Sequence, residues 1–358
     1  MTIRDKRQAE FAEQWLNSPR FSILNLCPRF GKIYTAINIL KKLDIPRVLI
    51  AYPDKTIKES WEADFNTRDY CTIDVTYSTH LGLKKHIGEL YDIIIIDEIH
   101  LLSEAQIEAC KELFTFNKVV LGLTGTLNKY SKKTLSEELG LNVLAEYPIE
   151  QAVKEGVIVD YQISVIKVPL DTVQLNLYNK VKRTEKQHFV HQGIIIRAIE
   201  RKGGSSMFPR LARMRIVQKS ISKLNKTKQL LQQYKDKRIL VFCGLTDIAD
   251  NLGIPSYHNK VKESEIFEDF ANGKGNHLAV VKMGNTGVTY KPLDMVIINY
   301  FDSNAENLAQ KINRCMGMEY NTPDKKAHIY IISSDEEVEL NWLKKALAFF
   351  DASKINYL

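Results

Sequence analysis

The feature that most constrains this chain is an uninterrupted run of four isoleucines at positions 93–96, followed by Asp97, Glu98, Ile99 and His100. A short, β-branched, wholly apolar run is typical of a strand buried on both faces, as in the centre of a parallel sheet. Ligands bind at the carboxyl ends of such strands. Asp97 would hold the Mg²⁺ of a bound nucleotide, directly or through water, and Glu98 would polarise an attacking water. The alternative is a strand followed by a solvated acidic turn.

A second polar segment, Gly31-Lys32, lies upstream between a predicted strand at Phe21–Leu26 and an apolar helical stretch at 37–43. Strand, tight loop and helix form the arrangement that cradles phosphates, with backbone N–H groups at the helix N-terminus and a lysine at the β and γ oxygens. The spacing departs from the complete motif. There is one glycine, and Ile33 stands where a Ser or Thr hydroxyl would bind Mg²⁺.

The same alternation of strand, short polar turn and helix recurs along both halves of the chain. Further strands are predicted at 47–52, 72–77, 119–123, 238–243, 277–282, 294–299 and 327–332. The pattern predicts an α/β protein with two doubly wound parallel-sheet domains, at residues 1–160 and 236–358. Between them, residues 161–235 would carry the first strand of the second domain and a basic, mainly helical segment from 172 to 234, broken near 203–206 and at Pro209.

Composition sets the class of protein. A length of 358 residues is enough for two domains, and 44% hydrophobic with 26% charged residues is usual for a soluble globular chain. No apolar run approaches the roughly 20 residues of a membrane span, and the N-terminus lacks the apolar core of a signal peptide. Five scattered cysteines without CxxC spacing indicate free thiols in a reducing compartment. We therefore expect a cytoplasmic protein without a membrane partner.

The net charge of +7 is concentrated at mid-chain. Residues 167–235 hold 16 Lys and Arg against three acids, a balance of +13. Several of these cations recur at three-, four- or six-residue spacings and could share one helix face: Arg210, Arg213, Lys219, Lys223 and Lys226. Such a face would track phosphates without reading sequence. The alternative is a solvated lysine-rich surface, and Tyr178, Phe189 and Phe208 are interpreted as core residues rather than base-stacking ones.

Taken in order, these segments resemble the motifs of superfamily 2 helicases. The matching motifs are Arg29-Phe30-Gly31-Lys32 (nucleotide loop), Asp97-Glu98-Ile99-His100 (DExH box), Leu123-Thr124-Gly125-Thr126 (coupling motif), Asn285-Thr286-Gly287-Val288-Thr289 (motif V) and Gln310-Lys311-Ile312-Asn313-Arg314 (motif VI). The resemblance covers nearly the whole chain and implies two RecA-like domains. The compact size resembles the small bacteriophage helicases that act on branched DNA.

The resemblance also implies roles for individual residues. Nucleotide binding falls to Gln8, Pro28, Arg29, Phe30, Gly31, Lys32, Ile33 and Gly287. Catalysis falls to Asp97, Glu98, Gln310 and Arg314, with Asp97 as the Mg²⁺ ligand and Arg314 as an arginine finger from the second domain. Coupling of the nucleotide state between the domains falls to His100, Thr124 and Thr126, together with Gln310. Nucleic-acid contacts fall to Pro53, Lys55, Ser78 and Thr286, joined by Arg210 and Arg213 of the basic segment.

Three departures from the family pattern bear on activity. Ile33 removes the hydroxyl ligand of Mg²⁺, Gly317 replaces the second arginine of motif VI, and Thr289 replaces an acidic residue of motif V. Because an arginine finger contributes about 10³ to 10⁵ in rate, these changes predict a slow ATPase. The retained Asp97-Glu98 pair favours a working one.

We therefore predict an ATP- and Mg²⁺-dependent DNA helicase or translocase that acts on single-stranded or branched DNA in replication, recombination or repair. DNA is expected rather than RNA, and a monomer in the cytoplasm, which would be the host cytoplasm for a viral protein. One alternative is a degenerate, weakly hydrolysing ATP-binding protein that clamps DNA. The other is the motor subunit of a restriction or repair assembly, which would need a partner subunit.

Overall fold

The computed structural model describes residues 1–43, 47–54, 56–67, 74–178, 180–261, 264–281, 290–291, 293–317 and 325–358. Lys55, Thr286, Gly287 and Thr289, and the start of the strand predicted at 72–77, lie outside these residues. The chain divides into two compact units, the first built mainly from Met1–Val159 and the second mainly from the residues after it. Across the described ranges, no helix is long and apolar enough to cross a membrane.

The first unit alternates strands and helices. Its strands are β1 (Phe21–Leu26), β2 (Arg47–Tyr52), β3 (Asp74–Thr79), β4 (Ile93–Ile96), β5 (Val120–Thr124) and β6 (Asn142–Tyr147). Its helices are α1 (Ile3–Leu16), α2 (Lys32–Leu43), α3 (Thr56–Thr67), α4 (Glu104–Phe116), α5 (Lys129–Leu139) and α6 (Ile149–Lys154), with 3₁₀ turns at His80–His86 and Ile99–Leu101. The strands form one sheet in the order β3-β2-β4-β5-β1-β6, and every pairing is parallel.

The isoleucine strand occupies the middle of this sheet, as the sequence predicts. All four residues of β4 are fully buried, and β4 pairs with β2 on one side and β5 on the other. Both faces are covered because helices cross between parallel strands. One face packs against α4 and α5, through core residues that include Leu113 and Leu135. The four isoleucines thus fix the depth and direction of the segment that ends at Asp97.

The second unit has the same layered plan with an insertion. Its strands are β7 (Asp160–Val168), β8 (Asn176–Tyr178), β9 (Val181–Arg183), β10 (Ile239–Cys243), β11 (Ser256–Tyr257), β12 (His277–Val281), β13 (Met295–Ile298), β14 (Lys326–Ser334) and β15 (Ile355–Tyr357). Its helices are α7 (Glu185–Arg201), α8 (Met207–Gln218), α9 (Ile221–Gln233), α10 (Thr246–Asp250), α11 (Ser264–Ala271), α12 (Ala305–Ile312) and α13 (Glu337–Leu347), with 3₁₀ turns at Asn313–Cys315 and Ala352–Lys354.

Seven of these strands form the second sheet. Their order is β11-β12-β10-β13-β14-β7-β15, again with parallel pairing throughout. The central strands are apolar and buried, and their side chains form a core with α9 and α10. Two parallel-sheet α/β domains are therefore present, which confirms the predicted fold class.

The basic segment differs from its prediction at two points. A mainly helical stretch from 172 to 234 was expected, but β8 and β9 form an antiparallel hairpin that pairs with neither sheet. Alternating polar and apolar residues around the hairpin suit this local pairing. The predicted break near 203–206 is present between α7 and α8. Pro209, however, does not break the helix, because it lies in the first turn of α8, where its missing N–H has no intrahelical partner to lose.

Candidate functional site

The candidate phosphate loop joins the end of β1 to the start of α2. Phe30 is fully buried in this loop, with its ring 5.7 Å from that of Phe11 and 4.9 Å from that of Tyr147. The buried Gln8 amide donates to the Phe30 carbonyl at 2.8 Å. Gly31 has φ +94°, and a Cβ there would lie 2.4 Å from the Gln8 amide nitrogen, so glycine is required. Gln8 therefore holds the loop itself, and its proposed contact with adenine stays a prediction.

Lys32, the first residue of α2, forms an ion pair with Glu98 at the end of β4. Burial alone would lower the pKa of the lysine, but the adjacent carboxylates of Glu98 and Asp97 raise it. Burial opposes ionisation of Glu98, yet Lys32 and the neighbouring histidines together lower the pKa of the carboxyl. Glu98 also has φ +48°, an uncommon left-handed conformation for a non-glycine residue. Backbone strain of this kind concentrates at functional sites.

Asp97 is held by two side chains that sequence analysis did not assign to the site. The indole N–H of Trp61, on α3, donates to Asp97 Oδ2 at 3.1 Å, while the Glu98 backbone N–H donates to Oδ1 at 2.9 Å. His80 Nε2 lies 2.9 Å from the Asp97 carbonyl oxygen. A carbonyl only accepts, so Nε2 carries the proton. Burial lowers the pKa of His80 to about 4, so the ring is neutral at pH 7.

The ring of Trp61 is fully buried in the core of the first unit. The signal that could have found its second role is chemical, because a buried indole N–H needs an acceptor. Burial raises the pKa of the Asp97 carboxyl to about 6, against the opposing effect of Lys32. A bound cation would oppose this shift, because a carboxyl group binds metal in its ionised form.

His100 links the acidic pair to the end of β5. Its two ring nitrogens lie 2.8 Å from Thr124 Oγ1 and 3.3 Å from Thr126 Oγ1, and Nδ1 lies 3.5 Å from Glu98 Oε2. The structure thus brings together three of the four residues predicted to couple nucleotide state to movement, all of them in the first unit. Glu98 Oε2 is buried and has no hydrogen-bond partner among the described residues. A buried carboxylate oxygen without a donor is a ready acceptor for a water molecule.

The metal ligands available at this site suit Mg²⁺ better than a metal ion that is coordinated by protein side chains alone. Among the described residues, no group of three or more His, Cys, Asp or Glu side chains could form a cage. Mg²⁺ is usually bound by one or two carboxylates, with waters and substrate phosphates completing the octahedron. Asp97 next to the Gly31-Lys32 loop fits that description. Ile33 offers no oxygen, and the Thr35 hydroxyl lies 3.4 Å from the Gly31 carbonyl inside α2.

Two predicted nucleic-acid residues of the first unit lie at the same edge of the sheet as this cluster. Ser78 pairs in register with Ala51, which pairs in turn with Ile96, and Pro53 directly follows β2. The carboxyl ends of β2, β3 and β4 are therefore side by side. Ser78 is buried, and Pro53 is half-buried.

In the second unit, Gln310 lies on α12, and Arg314 lies in the 3₁₀ turn that follows it. Both are half-buried. Between them, Lys311 is buried, with Nζ 3.2 Å from the Tyr300 carbonyl oxygen, and burial lowers its pKa to about 8.

The basic segment is less uniform than its charge count suggests. Arg210 pairs with Glu200 at 2.5 Å, and the guanidinium of Arg213 lies 3.9 Å from the centre of the Phe189 ring. Lys223 was expected on a phosphate-tracking face. It is instead fully buried and paired with Glu339, so that expectation is wrong for this residue.

The three aromatic residues of this segment that were interpreted as core residues also differ in their burial. Phe189 is a core residue, as predicted. Phe208 is 75% exposed, so its assignment to the core is wrong. Tyr178 stacks on His188, with ring centres 3.8 Å apart.

Several known proteins resemble this chain in sequence or in structure. Residues 222–318 match the family model of the helicase conserved C-terminal domain. The DNA 3′–5′ translocase XPB2 of Sulfurisphaera tokodaii is 21% identical over 347 residues, covering 86% of this chain and 77% of the relative. Dbp5 of S. cerevisiae bound to RNA and ADP BeF₃ superposes with a TM-score of 0.64 at 11% identity, over 98% of this chain and 89% of that one. The Hef helicase domain of Pyrococcus furiosus superposes with a TM-score of 0.52 at 14% identity, over 97% and 100%.

The solved structures show a RecA-like two-domain helicase fold. The family model and the translocase relative support a superfamily 2 helicase-type ATPase, the coarser part of the family resemblance seen in the motifs.

Proposed function

We propose that this chain is an ATP-driven, Mg²⁺-dependent DNA translocase or helicase. The observation that carries the proposal is the cluster at the carboxyl edge of the first sheet. There the lysine of the candidate phosphate loop contacts a carboxylate whose second oxygen, Glu98 Oε2, is buried and accepts no hydrogen bond from the described residues, with His100 Nδ1 the nearby nitrogen at 3.5 Å. A buried oxygen that accepts no hydrogen bond does not stabilise the fold. It can, however, accept a hydrogen bond from a bound water molecule.

The ion pair supports an order of events. When the β and γ phosphates of ATP bind at the loop, they offer Lys32 a second anionic partner beside Glu98. Movement of the ammonium toward the phosphates would release Glu98 Oε1. Both carboxylate oxygens could then accept from the attacking water, with His100 restricting the direction of approach. A Mg²⁺ ion at Asp97 would neutralise phosphate charge, while Trp61 and His80 keep that carboxylate and its backbone fixed.

The remaining roles rest on the family resemblance. Gln310 and Arg314 would respond to the γ-phosphate and offset the charge that develops on the transferred phosphoryl group. His100, Thr124 and Thr126 would pass the nucleotide state onward. Their hydrogen-bonded contact supports that role, since one ring joins Glu98 to the end of β5.

DNA is proposed as the substrate over RNA on one ground. The Sulfurisphaera tokodaii relative, with alignment over most of both chains, is a DNA 3′–5′ translocase. The mid-chain balance of +13 favours a polyanion of either kind. A role in replication, recombination or repair on branched DNA follows from the resemblance to compact bacteriophage helicases.

A second candidate is an ATP-dependent DNA clamp that hydrolyses slowly. It is favoured by Ile33, which offers no hydroxyl for Mg²⁺, and by Gly317, which offers no guanidinium. A third candidate is the motor subunit of a larger assembly, which would be recognised by a stoichiometric partner that co-purifies with the chain.

The proposal is tested by strand displacement. Forked DNA duplexes and forked RNA duplexes of the same sequence are incubated with the protein, Mg²⁺ and either ATP or a non-hydrolysable analogue. The motor proposal predicts displacement of DNA with ATP only, and none with Glu98→Gln, which keeps the shape of the side chain but not its charge. Displacement of RNA alone would refute the choice of DNA. Tight fork binding without displacement would favour the clamp.

A further inference from the structure

A cavity of about 630 Å³ lies within the second unit, and none of the residues assigned above to the nucleotide lines it. It opens where β13 and β14 end, because its wall includes Tyr300 and Phe301 after β13 and Glu336 and Glu339 after β14. The helices α7 and α8 form its other wall. The carboxyl edge of a parallel sheet is where such folds bind ligands, and this volume lies within the ~300–1,000 Å³ of small-ligand sites.

The lining is mostly apolar and rich in flat rings. Four aromatic side chains contribute: Phe189, Tyr300, Phe301 and Trp342. Arginine side chains are normally well hydrated or paired, but one nitrogen atom of Arg213 is neither. Its guanidinium lies on the Phe189 ring, and its buried Nε has no hydrogen-bond acceptor among the described residues.

The other charged side chains of the lining are already paired. Arg210 contacts Glu200, Glu336 contacts Lys186 at 2.5 Å, and Glu339 is satisfied by Lys223 and by the Ser334 backbone N–H. Arg213 Nε is therefore a buried donor without a described acceptor, and rotation of the side chain away from Phe189 would bring it to a ligand in the cavity.

The two helices that form this wall of the cavity have a net positive charge. From residue 185 to residue 218, which spans α7 and α8, the chain has seven Lys and Arg and two acids. Phe208 and Met207, at the start of α8, are 75% and 56% exposed beside these cations. A ligand matched to this surface has a negatively charged part outside and a flat, largely apolar part with hydrogen-bond acceptors inside.

We propose that this cavity binds an unstacked nucleobase of single-stranded nucleic acid. A base would contact the two half-buried aromatic side chains of the lining, Tyr300 and Trp342, and its ring nitrogen and carbonyl acceptors would meet Arg213 Nε once that side chain turns away from Phe189. The sugar-phosphate backbone would stay outside, among the cations of α7 and α8. The inference rests on the proposed function only in requiring that the chain binds nucleic acid. It adds a specific contact between the second unit and a base to the proposed contacts with phosphates.

An apolar segment of a partner protein is the competing occupant, since Met207 and Leu211 at the rim would suit one. The net positive charge of α7 and α8 favours the nucleic acid, because it matches a polyanion.

The test uses single-stranded oligonucleotides with 2-aminopurine at successive positions, and it measures how strongly acrylamide quenches each when the protein is bound. The proposal predicts one protected position. It also predicts that an abasic site at that position weakens binding by about fivefold to a hundredfold, the usual contribution of one stacked base. Met214→Trp, which fills the cavity, should remove the protection. Leu211→Trp, at the more exposed rim, repeats the test in case the first variant folds poorly.

The matched control is Val190→Trp, which adds the same ring on α7 at a half-exposed position outside the lining. It should keep both the protection and the abasic penalty. Strand binding without a protected position, unchanged by either filling variant, would overturn this inference and leave the proposed function intact. No binding of any strand by the wild type would instead overturn the proposed function. Filling variants that change only the oligomeric state would assign the cavity to a protein segment.

Discussion

Among the described residues, each unit of the molecule contains a Lys–Glu pair with little solvent exposure, and the two pairs differ in what surrounds them. In the second unit, Lys223 and Glu339 are almost wholly buried, and both Glu339 oxygens have a donor, from Lys223 and from the Ser334 backbone. In the first unit, Lys32 and Glu98 keep 14% and 18% of their side-chain surfaces exposed, and Glu98 Oε2 has no donor among the described residues. Both carboxylate oxygens of the second-unit pair are therefore satisfied, whereas one oxygen of the first-unit pair could still accept a hydrogen bond.

This difference separates a structural pair from a candidate catalytic one. A buried carboxylate with every oxygen satisfied is held in place, and breaking its pair leaves an uncompensated charge. A carboxylate with an open oxygen, next to a phosphate loop and in a strained backbone conformation, is arranged for a ligand or water that comes and goes. The two sheets share one plan, so the chemistry is determined by the residues that follow their strands.

The largest expected effect on stability comes from Glu339→Gln. Neutralising the acid leaves the Lys223 ammonium buried without a counter-ion, which costs about 3–5 kcal/mol in the free energy of unfolding. Urea unfolding at pH 7 measures the loss. The matched variant is Glu98→Gln, which should cost much less because the ends of Lys32 and Glu98 reach solvent. Equal losses in the two variants would contradict the distinction between the pairs.

Lys32→Met should abolish most ATP hydrolysis. The ammonium is the only lysine charge of the phosphate loop, and loss of one such electrostatic contact to a reacting group costs about 10²–10³ in rate. Phosphate release at saturating ATP measures it. Lys223→Met is the control, since the stably folded fraction of that variant should retain the wild-type rate per molecule. A rate within threefold of wild type for Lys32→Met would remove the loop from the mechanism.

Lys311 tests the second unit through the pH dependence of stability. Burial lowers its pKa to about 8, below the ordinary value of 10.5. Between these values the unfolded chain binds a proton that the folded protein does not, so this residue makes the protein more stable as pH rises. From pH 8 to pH 9.5 the gain is about 1.5 kcal/mol relative to Lys311→Met. Parallel pH profiles for the two proteins would show that Lys311 keeps its ordinary pKa.

Trp61→Phe should raise the Mg²⁺ concentration needed for half-maximal hydrolysis by about tenfold, because loss of a hydrogen bond to a metal ligand typically weakens metal binding by 10–100-fold. The rate at saturating Mg²⁺ should change little. The control is Trp15→Phe, since Trp15 is also fully buried but its indole N–H has no acceptor among the described residues. If both variants respond alike, the Trp61–Asp97 contact has no specific role.

The sequence predicted the sheets because their signals are local. Four consecutive isoleucines and the repeated alternation of strand and helix identify buried parallel strands without knowledge of their neighbours. The Gly31-Lys32 loop and the Asp97-Glu98 pair could be placed at one edge for the same reason, because strand direction fixes where each loop emerges.

What the sequence could not predict depends on partners distant in the chain. Lys223 was assigned to a surface because its local spacing matches other cations, but Glu339, 116 residues later, brings it into the interior. Trp61 acquires a polar role from Asp97, 36 residues away. The hairpin of β8 and β9 interrupts a segment that is otherwise mainly helical, and it forms through cross-strand pairing that neither strand shows by itself.

The measurement that tests the central claim most directly is steady-state ATP hydrolysis with Mg²⁺, without nucleic acid and with single-stranded or branched DNA, for wild type and Glu98→Gln. The account predicts turnover that DNA stimulates and that Glu98→Gln reduces to background, because the open oxygen at Glu98 is the acceptor for the attacking water. Wild-type turnover equal to that of Glu98→Gln under every condition, with DNA still bound, would contradict the account and leave a clamp.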